Sequence, residues 1–424
     1  MNQIKFSNFK SMNLDRILSF CNDNNIEVTG SKSNILFLIM KFFLETESSS
    51  NFIADGCLEV INNNYGFLRD INTNFNPSAH DIYVHPKFIK ENNLKCGDII
   101  ECEVNLPRTE DQKLVIMKKL LSVNGNSNFS KFRRNFEDLT PFYSKEQLIL
   151  ANDSLDKENQ IICRALDLIS PVGFGQRGLI VAPPKCGKTT VLHSIVMSIL
   201  LNPRKIKLIV VLVGERPEEV TVMKRIAPET EIVFSTFDEP EENQIRMTEI
   251  INERAKRLVE NGEDVVILLD SITRLARSYN YSVPSSGKIM TGGVDPAALI
   301  KPKKFFGSAR NTEEAGSLTV LATCLVETGS KMDDFIFEEL KGTGNAEIRL
   351  SRSIAQRRVF PAIDISESGA RRTDLFVDKT LLPKIKIMES FFSNMDDRSE
   401  AIKILIEKIR ITKTNRDLLV TMLG

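Results

Sequence analysis

The chain lacks the cysteine pattern of a metal site. Its seven cysteines are scattered, with no CxxC pair and no cysteine–histidine cluster at zinc spacing. Scattered cysteines of this kind are typical of reduced thiols in a cytosolic protein. No internal repeat with a period of about 20 to 50 residues is apparent either.

A long hydrophobic run is also missing. The most apolar stretch, residues 35–44, is too short to span a bilayer and contains Lys41. It does not stand at the N-terminus, where the apolar part of a secretory signal would lie. We therefore expect a buried helix at this position, and a soluble, cytoplasmic protein that has no membrane partner.

An excess of either charge is absent as well. Lysine plus arginine number 56, and aspartate plus glutamate number 56. Because the global electrostatic field is close to neutral, any nucleic-acid binding must come from a local patch. The 424 residues, 42% of them apolar and 26% charged, suit a globular protein of roughly two or three domains.

The hydrophobic pattern changes three times along the chain. Leu14, Ile17, Leu18 and Cys21 recur at helical spacing, whereas short β-prone stretches separated by turn residues follow the polar break after residue 45. Later, apolar strand cores alternate with helical patterns, which predicts a parallel sheet covered by helices. The predicted organisation is a helical unit at 1–50, a five-stranded barrel at 51–123, a linker at 124–150 and an α/β domain at 151–424.

A phosphate-binding loop is predicted at residues 182–190, Ala-Pro-Pro-Lys-Cys-Gly-Lys-Thr-Thr. The residues before it favour a buried strand, and those after it favour a helix. Such a loop points backbone N–H groups and a helix N-terminus at one spot, where a triphosphate binds. Lys188 would reach the β and γ phosphates of ATP, and Thr189 would offer its hydroxyl to Mg²⁺. An ordinary strand–helix turn is the alternative, since Ala182 replaces the usual first glycine.

Two further strands of the α/β domain are predicted to end in carboxylates. Asp270 ends the apolar stretch Val265–Asp270 and would hold Mg²⁺ directly or through water, the alternative being a simple helix cap. Glu215 follows another strand and would orient or deprotonate the attacking water. Glu218 and Glu219 fit better in the first turn of a helix, where the helix dipole favours negative charge.

A glycine-containing turn precedes the strand that leads to the phosphate loop. Its glycines would let the backbone approach a nucleotide closely, and its position suggests that it belongs to the same site. The turn consists of Gly173, Phe174, Gly175, Gln176, Arg177 and Gly178.

Several basic residues have no evident partner within one subunit. Arg371 lies in a predicted exposed turn, and an arginine delivered to the γ phosphate from a neighbouring subunit accelerates hydrolysis in ring motors. Lys288 and Lys331 lie in two glycine-containing loops that could grip a nucleic-acid backbone. Solvated, inert surface charges remain the alternative for all three.

Aromatic side chains mark one face of the predicted barrel. Tyr65 and Phe67 stand at i and i+2 of one strand, with Arg69 beside them, and Tyr83 lies on the next strand. Stacking of bases on such rings contributes about 1–3 kcal/mol per base. The face is therefore a candidate site for single-stranded RNA, although rings in a strand can also belong to a core.

Together these stretches resemble the Rho family of bacterial transcription termination factors. The resemblance covers nearly the whole chain, including the barrel stretches GFLR and DIYV. It is carried by GFGQRGLIVAPPKCGKTT (173–190), GERPEEV (214–220), STFDEP (235–240), VVILLDSITRLARSYN (265–280), SGKIMTGGVD (286–295), KPKKFFGSARN (301–311), TGSKMDDFIFEELKGTGN (328–345) and RRVFPAID (357–364).

The resemblance implies a RecA-like P-loop ATPase core behind a barrel of the OB or cold-shock kind. It also implies a homohexamer that binds nascent single-stranded RNA, translocates 5′ to 3′ with ATP and Mg²⁺, and releases RNA from RNA polymerase with transcription elongation factors as partners. Three features depart from the family pattern. Gly214 replaces an aspartate, Thr190 replaces an apolar residue beside adenine, and the hairpin at 105–114 lacks an aromatic and one basic residue.

The resemblance also implies particular roles for individual residues. Glu215, Lys188, Asp270 and the trans-acting Arg371 would be catalytic. Phe360 would stack on adenine. The other implied nucleotide contacts are Lys185, Cys186, Gly187, Thr189, Thr190, Arg216 and Arg358, and the implied RNA contacts are Tyr65, Phe67, Arg69, Tyr83, Lys288 and Lys331.

Two other classes of protein share parts of this pattern. A rotary-type ATPase subunit has the same kind of nucleotide-binding core, but it has no use for a Tyr65/Phe67 stacking face. A passive RNA-binding protein that uses ATP only to oligomerise does not require Glu215 or Arg371. The sequence therefore favours the RNA-driven translocase.

Overall fold

The computed structural model describes residues 4–46, 52–106, 114–127, 133–284 and 286–423. The chain separates into two compact units. The first, called the barrel unit below, comprises Met1–Phe136 and Arg246–Glu260, and the second, called the sheet unit, comprises Glu137–Ile245 and Asn261–Gly424.

The barrel unit combines three N-terminal helices with short strands. Its elements are β1 (Ile4–Lys5), α1 (Phe6–Ser11), α2 (Leu14–Asp23), α3 (Lys32–Glu45), β2 (Phe52–Ile61), β3 (Tyr65–Arg69), β4 (Ile82–Val84), α4 (Pro86–Glu91), β5 (Ile99–Asn105) and β6 (Val115–Val123).

Five of these strands close into a barrel. They follow the order β2-β3-β4-β6-β5, and β5 pairs again with β2, while β1 adds to β2 in parallel. Closure removes the unpaired sheet edges that an open sheet would expose. The five-stranded barrel predicted from the sequence is thus confirmed.

The N-terminal helices and the barrel share one hydrophobic core. Phe6, Ile17 and Ile39 of the helices are buried in the same cluster as Phe52 and Leu58 of β2. The apolar run predicted as a buried helix lies within α3. In the part of the chain that the structure describes, no helix is long and apolar enough to cross a membrane.

The sheet unit is built around a large, mostly parallel sheet with helices. Its elements are β7 (Pro141–Phe142), α5 (Lys157–Ile169), β8 (Arg177–Ala182), α6 (Lys188–Leu200), β9 (Ile206–Glu215), α7 (Pro217–Ile226), β10 (Glu231–Thr236), α8 (Glu241–Glu260, whose residues 246–260 count with the barrel unit), β11 (Asp264–Asp270), α9 (Ile272–Ser282), α10 (Ile300–Gly307), β12 (Arg310–Thr312), β13 (Ser317–Leu325), α11 (Lys331–Lys341), β14 (Ala346–Arg349), α12 (Arg352–Gln356), β15 (Gly369–Ala370), α13 (Leu382–Ser393), α14 (Arg398–Ile411) and α15 (Asn415–Leu423).

The strand order of this sheet decides which residues meet. The strands run β10-β9-β11-β13-β8-β14-β15, and those from β10 to β14 pair in parallel. The carboxyl ends of β8, β9 and β11 therefore lie at one edge of the sheet, where ligands bind in folds of this kind. Ala182, Glu215 and Asp270 end these three strands.

The second half of the predicted linker is structured. Leu148 and Leu150 are fully buried in the core of the sheet unit. β7 pairs with β12, and the backbone N–H of Leu148 donates to the carbonyl oxygen of Val172 at 2.7 Å. Residues 137–150 thus belong to the sheet unit.

Candidate nucleotide site and RNA-binding surface

The loop after β8 has the geometry of an anion site. Gly187, with φ of +87°, is the N-cap of α6, and the helix begins with Lys188. No side chain in the described residues caps α6, so its first N–H groups remain available. The helix dipole adds positive potential at the same point, which favours a phosphate group.

Cys186 supports this loop from the inside. Its side chain is buried, and the thiol Sγ donates to the carbonyl oxygen of Pro183 at 2.8 Å. Burial raises the pKa of the Cys186 thiol to about 11. Cys186 therefore shapes the loop as a neutral thiol, and a contact with a nucleotide would have to come from its backbone.

Lys188 and Asp270 meet at the carboxyl edge of the sheet. The Lys188 ammonium Nζ lies 2.6 and 2.5 Å from the two carboxylate oxygens of Asp270. Thr323 on β13 donates its hydroxyl to Asp270 Oδ1 at 2.6 Å. Asp270 is 3% exposed, so these contacts hold a buried carboxylate in a fixed orientation.

Glu215 completes a group of charges around Lys188. Its Oε2 lies 3.5 Å from Lys188 Nζ and 2.9 Å from Nη1 of Arg274 on α9. The same Arg274 nitrogen donates to the carbonyl oxygen of Gly214 at 2.5 Å. A buried carboxylate held between two cations is suited to orient a water molecule beside a phosphate.

The oxygen donors near Lys188 fit a magnesium ion. Thr189 Oγ1 lies 3.3 Å from Glu219 Oε2, and Asp270 stands at the same edge. No group of three or more His, Cys, Asp or Glu side chains that could hold a metal occurs among the described residues. Mg²⁺ commonly takes one or two protein oxygens and completes its shell with phosphate and water. Glu219 lies in the first turn of α7, where its sequence position predicts it.

Phe360 lies next to the phosphate loop. A methyl group added at Gly187 would stand 3.4 Å from the Phe360 ring, which is half exposed. An exposed aromatic face beside a phosphate loop offers a platform for a base. The remaining predicted contacts on this side are exposed, namely Lys185, Thr190, Arg216 and Arg358.

The glycine-containing turn at 173–178 lies at the other edge of the sheet. It precedes β8, whereas the phosphate loop follows β8. A strand of six residues is about 20 Å long at 3.3 Å per residue. Within this chain the turn and the phosphate loop therefore lie at opposite ends of β8. That both belong to one nucleotide site stays a prediction.

Protein packing explains why glycines occupy this turn. A methyl group at Gly175, with φ of +86°, would come within 2.1 Å of the Asn311 backbone nitrogen, and one at Gly173 within 2.3 Å of Ser144 Oγ. Phe174 is buried, with the Arg204 guanidinium over its ring at 4.2 Å. The atoms that approach these glycines closely thus belong to the protein, whereas the sequence predicted a nucleotide there.

Arg371 lies at this same edge. Its backbone N–H donates to the carbonyl oxygen of Asn345 at 2.8 Å, and Gln176 Nε2 donates to the Arg371 carbonyl oxygen at 3.4 Å. A cavity of about 610 Å³ opens here, and among the described residues no carboxylate lines it. Its arginines are Arg177, Arg310, Arg371 and Arg372.

Arg310 and Arg372 in this cavity were not singled out from the sequence. Only the strand pairing places them there, because Arg310 begins β12 and Arg372 follows β15. The Arg177 guanidinium is held in place, because its Nε and Nη1 donate to the carbonyl oxygens of Thr343 and Ala309. Its positive charge adds to that of the cavity. The edge therefore carries four arginines, of which Arg372 also pairs with Asp374 at 3.2 Å.

The two lysine-bearing loops of the sheet unit meet each other. A methyl group at Gly292 would lie 2.7 Å from the carbonyl oxygen of Lys331, so the backbones are in direct contact. Lys288 and Lys331 are both exposed. Two exposed cations on adjoining loops form a suitable contact for a phosphate backbone.

Helix α9 connects these loops to Asp270 and Glu215. It begins directly after Asp270 and Ser271, and its Arg274 contacts Glu215. One turn later, Arg277 forms a two-pronged ion pair with the buried Asp333 at 2.7 and 2.6 Å. Thr328 also donates to Asp333, at 2.6 Å. Asp333 lies two residues after Lys331, so one rigid helix touches both regions.

The aromatic residues predicted on the barrel form one cluster. The ring centroids of Tyr65 and Phe67 are 5.9 Å apart, those of Tyr65 and Tyr83 are 5.8 Å apart, and those of Phe67 and Tyr83 are 5.9 Å apart. Phe67 on β3 stands directly opposite Tyr83 on β4. All three are partly exposed, which suits base stacking. Residues 107–113 of the hairpin considered above lie outside the described residues.

Arg69 is placed differently from the sequence expectation of an RNA contact. It is 7% exposed, and its guanidinium contacts Glu59 Oε2 at 2.7 Å and Asp81 Oδ2 at 2.5 Å. The guanidinium also lies 4.7 Å from the Phe67 ring centroid. Because two carboxylates neutralise its charge, Arg69 is placed to support the ring rather than to bind a phosphate.

Comparison with known proteins agrees with this arrangement. Residues 54–128 match the RNA-binding domain of the Rho termination factor. Residues 163–370 match the nucleotide-binding domain of the ATP synthase alpha/beta family. A solved ATPase of the type III secretion system of pathogenic bacteria shares the fold, with a TM-score of 0.56 and 22% identity over 73% of this chain and 95% of that one.

Similarity to whole proteins extends over almost the full length. Transcription termination factor Rho of Neisseria gonorrhoeae is 45% identical over 421 residues, which is 99% of either chain. Rho of Aquifex aeolicus is 47% identical over 92% of this chain and 89% of its own, and Rho of Salmonella typhimurium is 46% identical over 91% of both.

Fold and sites define an ATP-hydrolysing enzyme with a RecA-like core and an RNA-binding barrel of the OB kind. The chain belongs to the family of transcription termination factor Rho.

Proposed function

We propose that this protein is a homohexameric, RNA-dependent ATPase that translocates 5′ to 3′ along nascent single-stranded RNA and releases it from RNA polymerase. The observation that carries the proposal is the pairing of an ATPase domain with a Rho RNA-binding domain in one chain. Since its substrate is a nascent transcript, the protein acts in the cytoplasm, with RNA polymerase and transcription elongation factors as partners.

Hydrolysis takes place at the carboxyl edge of the sheet. The N–H groups of the phosphate loop and Lys188 hold the β and γ phosphates, and Phe360 stacks on the adenine. Glu215 orients the attacking water in line with the γ phosphate. Thr189 and Asp270 would hold Mg²⁺ directly or through water, and the ion would neutralise charge on the phosphate oxygens.

Arg371 acts on the nucleotide of the neighbouring subunit. It lies at the edge where β8 begins, and β8 separates it from its own phosphate loop by about 20 Å. Its guanidinium therefore serves a γ phosphate presented by an adjacent chain, with Gly173–Gly178 on the same side. This position explains why such an enzyme needs a ring to be active.

RNA stimulates hydrolysis through α9. RNA gripped at Lys288 and Lys331 shifts the start of α11, which Arg277 ties to α9 through Asp333. The same helix carries Arg274, the partner of Glu215. A displacement at the loops therefore changes the position of the catalytic carboxylate.

The barrel binds RNA first, before the RNA reaches the loops of the sheet unit. Tyr65, Phe67 and Tyr83 stack successive bases of an unpaired strand, which makes binding selective for unstructured transcripts. A rotary-type ATPase subunit, the alternative from sequence, is not favoured because it has no use for this face.

Measurement of ATP turnover tests the proposal. We expect slow hydrolysis by the protein alone and a many-fold increase with poly(C), but little increase with a fully duplex RNA of equal length. ATP turnover that does not change when RNA is added would support a rotary-type ATPase subunit. Absence of turnover both with and without RNA would support a passive RNA-binding protein.

A further inference from the structure

One segment of the sheet unit carries both proposed contacts with nucleotide at opposite edges of the sheet. Phe360 stands beside the phosphate loop, and Arg371 stands at the basic cavity. Residues 357–371 connect them. The way in which this segment is fixed therefore determines how a chain's own ATP site relates to that of its neighbour.

The Phe360 end is tied to the start of α14. Arg357 Nη1 lies 2.5 Å from Asp397 Oδ2. The other carboxylate oxygen, Oδ1, accepts from the N–H groups of Ser399 and Glu400 at 2.9 and 3.4 Å, so Asp397 is also the N-cap of α14. The contact with Arg357, together with these N–H groups, holds the pKa of Asp397 below its ordinary value.

The middle of the segment, at Asp364 and Glu367, is tied to Arg398, the next residue along the chain. Arg398 Nη1 lies 2.7 Å from Asp364 Oδ2 and 3.4 Å from Glu367 Oε1. Asp364 is 3% exposed and closes the following turn by accepting from the N–H groups of Ser366 and Glu367. Its carbonyl oxygen accepts from Ser368 Oγ at 2.6 Å, three residues before Arg371.

Helix α14 is a firm support for both attachments. One side of it is embedded in the main core of the sheet unit, through Ala401, Ile402, Leu405, Ile406 and Ile409. Interiors of this kind are closely packed and transmit displacements. Its N-cap Asp397 and its first residue Arg398 thus hold the beginning and the middle of the connecting segment.

We propose that Asp397 and Arg398 form a positioning pair, which fixes Phe360 at the chain's own nucleotide and Arg371 at the neighbour's nucleotide in a constant relation. The proposal rests on the proposed function of these two contacts. Neither member of the pair touches nucleotide: Asp397 acts through Arg357, and Arg398 acts through Asp364.

Two single substitutions in the full-length protein separate the two attachments. Asp397→Asn removes the charge that pairs with Arg357 but keeps a good helix cap. Arg398→Gln removes the cation that pairs with Asp364. Lys403→Gln is the matched control, because Lys403 is a similarly exposed cation on α14 whose ion-pair partner, Glu400, lies on the same helix. For each variant, kcat and KM for ATP are measured at saturating single-stranded RNA, alongside the melting temperature.

The two variants are expected to affect different constants. Asp397→Asn raises KM for ATP about three- to fivefold at unchanged kcat, the size of effect expected for an exposed ion pair. Arg398→Gln lowers kcat about three- to fivefold at unchanged KM. Arg398→Lys restores most of kcat, and Lys403→Gln changes neither constant.

A double substitution distinguishes positioning from general stability. If Arg398 acts through Arg371, Arg398→Gln causes no further loss in the residual turnover of Arg371→Ala. An additional loss in that background, or kinetic constants for both single variants equal to those of Lys403→Gln, overturns the positioning pair. A wild-type protein that RNA does not stimulate, or an Arg371→Ala variant as active as wild type, refutes the proposed function itself and this proposal with it.

Discussion

The backbone N–H of Arg371 donates to the carbonyl oxygen of Asn345 at 2.8 Å, which fixes this arginine at the start of the central strands. Lys188 and Asp270 lie at the opposite edge, 2.5 Å apart. The cation that would stabilise the transition state and the lysine that would hold the phosphates are thus separated within one chain. The mixing of two inactive subunits tests this separation.

Two inactive variants are expected to restore activity when their subunits are mixed. Lys188→Ala and Arg371→Ala each lower turnover by at least about 10²-fold, as expected for loss of a group that stabilises developing charge. In a mixed ring, the intact Lys188 of one chain meets the intact Arg371 of the other at some boundaries. Turnover is measured after co-refolding at equal ratio. If mixing restores nothing, Arg371 does not act across the boundary.

Lys188→Ala should at the same time leave RNA bound to the barrel. The substitution removes a side chain of the sheet unit and leaves the Tyr65, Phe67 and Tyr83 cluster intact. Filter binding of a labelled cytidine oligonucleotide checks this. A simultaneous loss of RNA retention would mean that the two sites are not separable.

Arg277→Gln is expected to uncouple hydrolysis from RNA. It removes the ion pair with the buried Asp333, through which the Lys331 loop is joined to α9. We expect RNA-stimulated turnover to fall about tenfold, within the usual range of coupling between sites, while turnover without RNA changes little. Lys303→Gln, which breaks the pair between Lys303 of α10 and Glu339 of α11, is the control. An equal loss of both rates would indicate simple destabilisation.

Phe67→Ala and Arg69→Ala should act on different quantities. Phe67→Ala removes a stacking ring and weakens RNA binding by about 1–3 kcal/mol without changing its salt dependence. Arg69→Ala leaves the buried Asp81 without its cation and leaves Glu59 with only the Arg246 guanidinium, 3.5 Å away, which destabilises the barrel by about 3–5 kcal/mol. Fluorescence anisotropy at several salt concentrations and thermal melting measure the two effects. A stable Arg69→Ala protein with a reduced salt slope would instead mark Arg69 as a phosphate contact.

Stability should depend on pH through Asp167. Burial raises the pKa of this carboxyl to about 7, although the N–H groups of Leu150 and Ala151 donate to it. Between about pH 4 and pH 7 the unfolded chain has lost this proton while the folded chain retains it, so the free energy of unfolding falls as pH rises. The loss amounts to a few kcal/mol at most.

Asp167→Asn removes that dependence. The melting temperature of the wild type relative to Asp167→Asn should therefore decline from pH 4 to pH 7 and level off above it. Thermal melting in buffers of matched ionic strength measures the difference. A constant difference across this range would show that the folded carboxyl is ionised throughout.

Much of the nucleotide site could be predicted from local sequence. A β-prone stretch followed by Gly187, Lys188 and Thr189, and strands that end in Glu215 and Asp270, are patterns of neighbouring residues. Parallel pairing then brings the strand ends to one edge, as expected for an alternating α/β sequence. The barrel aromatics were predictable for the same reason, since residues i and i+2 of a strand share a face.

The sequence by itself determined the class of protein, because its motifs lie within short segments whose backbone geometry is set locally. Only the tertiary structure decided that the turn at Gly173 and Arg371 lie across the sheet from the phosphate loop, and that Arg69 is neutralised by Glu59 and Asp81. It also decided that Asp397 and Arg398 hold the beginning and the middle of one segment. These relations join residues far apart in the chain. They depend on which strands become neighbours and which charges are buried together, and no local pattern encodes either.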